Sequence, residues 1–393
     1  MPKTPIKSPI AKVPSLKTVL GRLKKLAALP QTAATAMPPE MYTSEEISQL
    51  EQQQIFNQQW LCAGRQDAVP NAGDYLNYQI GSQPITIIRQ EDGGINAFAN
   101  VCRHRMMQLL AGEKGECPNK LIVCPYHAWS YGINGQLVGA PHMQDRPNFD
   151  KKDYSLVSVR CEIWEGWIYV TLSKDIDSVA ASLAELQDVV KDYHMGDYVQ
   201  IEQQDHIWNT NWKMLTENFM EGYHLPVTHR ATVGGHFNAD NTRFSELPPN
   251  PAFTYQTFTK ESTAPVGNAH PDNTRLKGDQ RITSVLPTIF PSHMITLAPD
   301  HLWYLSLQPL GHDKVQIRFG AALAPEVLAA CEDPEFFISD VIEFLEEVNE
   351  EDKGVVEGIF RGALAPLSTA GPLCWLEREN HEFTQYVAKQ LTE

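Results

Sequence analysis

The chain has 393 residues, 42% of them hydrophobic and 20% charged, and a formal net charge of −16. That length exceeds what one hydrophobic core organises, so two domains are expected. No run of eighteen uncharged apolar residues is present to span a membrane, and the negative charge argues against nucleic acid, whose phosphates it would repel.

The seven cysteines are sparse and scattered from Cys62 to Cys374. That usage fits a reducing compartment, where clustered Cys and His hold metal more often than they form disulfides. Residues 1–42 form a basic extension, with seven Lys/Arg from Lys3 to Lys25 and no acidic residue before Glu40. Leu16, Val19, Leu20, Leu23 and Leu26 recur at helical spacing, which predicts a short amphipathic helix docked on the protein. A cytoplasmic location is expected, or an organelle stroma if the extension is a leader.

Thr43 and Glu46 form a capping-box pattern that opens a polar helix running to about Trp60. From Tyr75 to Thr171 short β-rich runs follow: Tyr75–Ile80, Pro84–Arg89, Ile95–Ala99, Leu121–Val123, Trp129–Tyr131 and Ile163–Leu172, with Asn134-Gly135 a hairpin signal. Helices are expected over about Ser178–Tyr193 and Trp212–Tyr223. The stretch Arg230–Asp279 reads as loop with one strand near Phe253–Phe258. Runs near Ile282–Leu297, Trp303–Leu307 and Val315–Ala321 predict an antiparallel sheet, and a long helix covers about Pro334–Arg361. The expectation is an α+β protein: the basic extension, an N-terminal helix and all-β module over residues 43–172, and a mixed domain over 173–393.

The β module carries Cys102-Arg103-His104 and Cys124-Pro125-Tyr126-His127. Two thiolates and two imidazoles are the ligand set of a Rieske [2Fe–2S] centre, with two Cys on one iron and two His on the other. A Cys₂His₂ zinc site would use the same atoms, although zinc motifs usually pair Cys with Cys and His with His. A Cys102–Cys124 disulfide runs against the compartment.

The run Cys102-Arg-His104-Arg105, with Cys124-Pro-Tyr-His127-Ala-Trp129, resembles the Rieske domain of ring-hydroxylating and N-demethylating oxygenases. Respiratory Rieske proteins add a cysteine beside each ligand pair; Met107 and Tyr126 stand in that region here. Two departures are visible: nineteen residues separate His104 from Cys124, with the surplus expected in a loop tip around Gly115–Pro118, and Met106 stands where glycine is common.

Downstream, Glu221 and His224 lie at i, i+3 on one helical face, and Pro226 is expected to end the helix and let His229 swing back towards His224. Two imidazoles and a carboxylate make the facial triad of an Fe(II) oxygenase. The carboxylate is sought on the last long helix. Its apolar stripe (Val341, Leu345, Val348, Val355, Ile359) puts Asp352 near the stripe's centre at 100° per residue, and leaves Glu346, Glu347, Glu350 and Glu351 on a solvated face.

The segments Asn211-Trp212-Lys213, Glu217-Asn218, Glu221-x-Tyr-His224 and His229 resemble the same family's catalytic helix, and Glu351-Asp352-Lys353 its C-terminal ligand segment. The resemblance implies a terminal oxygenase (alpha) subunit with a helix-grip-like catalytic domain. It implies a [2Fe–2S] cluster on Cys102, His104, Cys124 and His127, and Fe(II) on His224, His229 and Asp352. Asn218 would line the iron pocket, and Glu221 would stand at the bridging carboxylate position, usually Asp, between His224 and His127 of the partner subunit. It further implies O₂ as cosubstrate, electrons from NAD(P)H through a separate flavin or iron–sulfur reductase, and a homotrimer. Phe219, Tyr223, Phe290, Trp303 and Tyr304 are candidate wall residues of the pocket, with ordinary core the favoured reading for each; the layout resembles the branch acting on choline, betaine or carnitine-like compounds, which an aromatic cage would bind well, and aromatic substrates are the rival. A Rieske electron carrier without oxygenase activity is the alternative reading.

Overall fold

The computed structural model describes residues 14–236, 238–246, 248–260 and 267–393. Phe237, Leu247 and residues 261–266, all in the stretch expected as loop, lie outside them. Within it are two seven-stranded antiparallel sheets and one of three strands, and helices pack on the second large sheet; the chain is α+β.

The first large sheet contains the strands Asp74–Ile80, Gln83–Arg89, Ile95–Ala99, Ser158–Trp164 and Trp167–Thr171, with Leu61–Arg65 and Lys114–Glu116 at its edges. The expected single run over Ile163–Leu172 is two strands. Glu165 and Gly166 both take positive φ, 48° and 81°, the backbone that a tight hairpin requires. Gly115 is not in a loop tip: Lys114–Glu116 pairs with Asp74–Leu76 as an exposed edge strand. The three-stranded sheet (Leu121–Val123, Ser130–Gly132, Leu137–Gly139) turns at Asn134-Gly135, as the sequence predicts.

The second large sheet runs Val199–Trp208, Val315–Leu323, His301–Pro309, His293–Leu297, Thr283–Ile289, Phe253–Thr259 and Thr242–Phe244 in spatial order. The helix Pro334–Ala363 packs against Val199–Trp208 and against the helix Trp212–Phe219. The helix Leu16–Ala27 buries Val19 and Leu23, and docks on the C-terminal helix Arg378–Thr392.

Two buried arginines tie the first large sheet to the second and to the segment leading into it. Arg318, on the second sheet, donates to both carboxylate oxygens of Asp205 (2.9 and 3.0 Å) and reaches the Ala63 carbonyl of the first sheet at 2.7 Å. Arg65 on the first sheet reaches the Met195 and Tyr198 carbonyls. Charge-assisted bonds of this kind are the strong ones.

The N-terminal helix begins one residue later than expected. Thr43 ends a single turn, Glu40–Thr43, and bonds back to the Pro39 carbonyl. Ser44, with extended backbone, caps Glu45–Glu51 by accepting from the Ile47 amide. This segment carries Glu51, whose carboxylate accepts from Lys213 Nζ at 2.6 Å and from Trp212 Nε1 at 2.8 Å, all three side chains being buried. The pair fixes the start of the Trp212–Phe219 helix. Lys213→Met leaves Glu51 buried without its cation, a loss of about 3–5 kcal/mol. Thermal melting should show a clear fall in midpoint, partly restored when Glu51 is also replaced by Gln; an unchanged midpoint in the single variant would contradict this role.

Candidate functional site

Two loops of like construction bring Cys102, His104, Cys124 and His127 together. In each, the Cys amide donates to a carbonyl five residues on (Met107 and Trp129, both 2.8 Å), and the residue four positions on donates back to the Cys carbonyl. That fourth residue, Met106 or Ala128, has positive φ (59° and 56°). The left-handed turn explains why glycine suits position 106; Met106 accepts the strain with its side chain 81% exposed. Cys102 and Cys124 are buried, while His104 and His127 lie at the surface, their rings 4.8 Å apart. His104 stacks on Trp129. The Tyr131 hydroxyl accepts from the Arg103 amide at 3.0 Å and lies 3.3 Å from Cys102 Sγ, to which it can donate. A donor to a cluster sulfur raises the cluster's potential. Trp129 enters the sequence reading only as the end of the Cys124–Trp129 motif, and Tyr131 is not singled out there, reading as an ordinary strand residue.

The second constellation is built differently from its sequence reading. The Trp212–Phe219 helix stops at Met220, so Glu221 and His224 do not share a helical face. They sit in a turn that Glu221 organises: its Oε2 accepts from the Tyr223 and His224 amides, and its Oε1 lies 2.5 Å from His224 Nδ1. Pro226 does not end a helix but stands in the first turn of a short one, Leu225–Thr228, where its missing N–H costs nothing. His229 caps that helix and is buried. A Cβ at Gly234 would lie 2.1 Å from the Leu225 carbonyl, so only glycine lets the chain fold back under His229.

Asp352 faces this turn from the long helix. Its Oδ1 lies 3.0 Å from His229 Nε2 and 3.6 Å from His224 Nε2, and one ligand atom from each residue lies within 4.8 Å of the others. Cis ligands about 2.1 Å from one octahedral ion are about 3.0 Å apart, so the set fits a divalent metal. Asn218 Nδ2 is 3.2 Å from His224 Nε2. The helix stripe differs in detail from the periodicity argument. Its buried residues are Leu345, Val348, Asn349, Val356 and Phe360, while Ile359 is half exposed; Asp352 falls in the same row.

Glu351 corrects the sequence reading. It is not on a solvated face: its Oε2 lies 2.7 Å from His229 Nδ1 and accepts from Thr232 Oγ1 at 2.7 Å. Each imidazole thus turns Nε2 towards Asp352 and gives Nδ1 to a carboxylate, the outer-shell arrangement expected of metal-binding histidines. The signal available in the sequence was the acidic neighbour of Asp352.

Burial alone would lower the His224 imidazole, but hydrogen bonds and charge from Asp352 and Glu221 raise it to about 9. His229 is raised as well, against its burial, chiefly by Asp352. Burial would raise Asp352, yet the two imidazoles hold it below the usual carboxylate range. Beside the trio lies a cavity of about 170 Å³ that Asn218, Glu221 and His224 help to line. The aromatic candidates do not line this cavity: Phe219 packs on Trp303, Phe290 on Tyr386, Tyr304 on Trp167, and Tyr223 is 61% exposed.

Residues 191–393 match the family model described as ring hydroxylating alpha subunit (catalytic domain), and residues 59–154 the Rieske [2Fe-2S] domain. The chain is 33% identical over 194 residues to the glycine betaine monooxygenase oxygenase subunit of Pseudomonas aeruginosa, which covers 49% of this chain and 44% of that protein. It is 32% identical over 210 residues to the carnitine monooxygenase oxygenase subunit of Escherichia coli K12, covering 52% and 55%. The matched stretches therefore span about half the length of these relatives. The structure of the quaternary ammonium Rieske monooxygenase CntA superposes with a TM-score of 0.80, covering 97% of this chain and 99% of that one at 21% identity, a likeness of fold. No described helix is long and apolar enough to cross a membrane.

Two outcomes follow for metal binding. Glu351→Gln should weaken Fe(II) binding about 10–100-fold while the visible spectrum of the [2Fe–2S] cluster is unchanged; equal affinity in parent and variant would remove Glu351 from the site. A proton and a divalent ion compete for the same imidazole nitrogen. With His224 raised to about 9, Fe(II) affinity should climb between pH 6 and 8, by up to about tenfold per pH unit. Anaerobic titration checks this, and a flat profile would contradict it.

Proposed function

The chain belongs to the ring-hydroxylating alpha-subunit family, and from that premise we propose that it is the terminal oxygenase of a Rieske system acting on a methylated ammonium compound. The observation that carries this reading is the convergence of His224, His229 and Asp352 in one chain with two Cys–His loops. In this reading Cys102, His104, Cys124 and His127 hold the cluster, over a domain spanning residues 43–172. His224, His229 and Asp352 hold one iron in the domain over 173–393.

When bound by these residues, iron would supply O₂ activation and the cluster would supply single-electron relay from a separate reductase. Its two His ligands suit that relay, because they raise the potential to roughly −150 mV or above. The protein's own groups do the rest. Glu221 and Glu351 fix the imidazole rings through their Nδ1 atoms. Asn218 stands at the cavity face of His224. The surface position of His104 and His127 suits electron delivery across a subunit boundary, with Glu221 as the bridging carboxylate and a homotrimer as the assembly. The cell cytoplasm would provide the reductase and NAD(P)H.

On an N-methyl substrate the balance is one O₂, two electrons and two protons per turnover. One oxygen atom enters the C–H bond as a hydroxyl and the other leaves as water; the N-hydroxymethyl product then releases formaldehyde. An arene would instead yield a diol or phenol. The ammonium class is favoured because carboxylates, not rings, line the cavity.

Glu221→Gln should leave both metals bound and separate reduction from product formation, with formaldehyde yield per electron falling by about tenfold or more. Turnover equal to the parent would refute the bridging role. Diols in place of formaldehyde across a panel of substrates would refute the ammonium class. A chain holding the cluster but no further iron would be an electron carrier instead.

A further inference from the structure

The loops that carry the two Cys–His pairs expose apolar side chains beside the histidines: Met106, Met107 and Tyr126 all face solvent, Met106 by 81%. Tyr126 has local support, since its ring lies 3.6 Å from that of His127 and the Arg105 guanidinium sits over it at 5.6 Å. Met106 is different. Its backbone is left-handed, with φ at 59°, where a Cβ is crowded and glycine is relaxed. Ala128 holds the same place in the second loop, with φ at 56°, and bears that strain with only a methyl group. Met106 adds a long thioether side chain left in water. In the isolated chain neither feature stabilises anything, and strain retained at a site points to a role there.

The chain exposes a matching surface at its other metal site. Val227 is 82% exposed, and with Tyr223 and Pro226 it forms the outer side of the turn that holds Glu221 and His224. The charges match as well. Exposed Arg103 and Arg105 belong to the loop of Met106, whereas Glu221, Glu351 and Asp352 surround the imidazoles of the turn. Two different surfaces of one chain that complement each other make a head-to-tail contact between copies, and such contacts close into rings.

We propose that Met106 is an anchor between copies of this chain, packing on Tyr223 and Val227 of the partner subunit and so holding His127 at Glu221 of the partner subunit. This rests on the head-to-tail assembly of the oxygenase reading and names a residue that positions it. The His104 and His127 rings are 4.8 Å apart, so a side chain two residues beyond His104 falls beside whatever His127 meets. An unbranched thioether adapts to an irregular apolar surface. Glycine would relax the loop and leave the contact bare; methionine strains the loop, and its stabilising effect arises only in the assembly.

The test is sedimentation of the metal-loaded protein over a dilution series, with Met106→Ala, Met106→Gly, Met106→Leu and Ala128→Gly beside the parent. Loss of one buried methionine side chain should weaken association at least about tenfold in Met106→Ala and Met106→Gly. Met106→Leu keeps the apolar bulk and should stay closer to the parent than either. Ala128→Gly should associate as the parent does. Met106→Gly should also melt above Met106→Ala, because both lose the contact and only glycine relieves the strain. An unchanged visible spectrum of the cluster shows that its ligands are intact in each variant. A parent ring that Met106→Ala does not loosen would overturn the anchor and leave the assembly standing, as would a loss in Ala128→Gly equal to that in Met106→Ala. Unchanged association with a raised KM for the reductase in Met106→Ala would overturn it by giving this surface to the reductase. A parent chain that stays monomeric would overturn it together with the head-to-tail reading.

Discussion

A carboxylate on the buried face of a long helix must be compensated or it destabilises the fold by several kcal/mol. Asp352 is that carboxylate. It has two imidazoles against it, and each imidazole is backed by a further carboxylate, Glu221 or Glu351. The result is an alternation of acid and imidazole in which no ring is free to rotate. The surrounding architecture serves this alternation. Glu221 uses its second oxygen to fold its own turn, Gly234 lets the chain return beneath His229, and Thr232 steadies Glu351. A charge pattern that would be costly in an ordinary core is what a divalent cation requires.

The two histidine pairs differ in exposure. His229 is buried and His224 half-buried, whereas His104 and His127 lie at the surface with their cysteines beneath them. The proposed function assigns the exposed pair to the relay, which must be reached from outside, and the more sheltered pair to the reacting centre. The buried guanidiniums of Arg318 and Arg65 tie the sheet near the first pair to the sheet near the second and to the segment leading into it, each reaching backbone carbonyls across the boundary. That connection is rigid because planar, always-charged groups make it.

Much of this was legible in the sequence, for identifiable reasons. Cys102, His104, Cys124 and His127 sit in short local motifs, so their convergence needs little long-range information. Asp352 could be picked from helical periodicity because burial of a charge is a strong signal, even though the true stripe runs through Val356 and Phe360 rather than Val355 and Ile359. What was not legible depends on contacts between distant segments. The pairing of Glu351 with His229 spans 122 residues, and solvated and ligand-facing glutamates look alike in one helix. The end of the helix at Phe219 was missed because side-chain capping by Glu221 replaces backbone bonds, which propensity does not register. The edge strand Lys114–Glu116 is polar and exposed, so it carries no alternation to detect. Phe290 and Tyr304 are core residues, the reading the sequence favours over a place in the pocket wall, and only the assembled sheet shows where they point.

The central claim is that three side chains from two distant segments share one metal ion, apart from the cluster. Anomalous diffraction at the iron edge, from crystals grown anaerobically with Fe(II), measures this directly. The account predicts a single-atom peak within bonding distance of His224 Nε2, His229 Nε2 and an Asp352 oxygen, together with a two-iron peak between the Cys102 and Cys124 loops. Density at the loops alone, with Asp352 still bonded directly to His229, would contradict it.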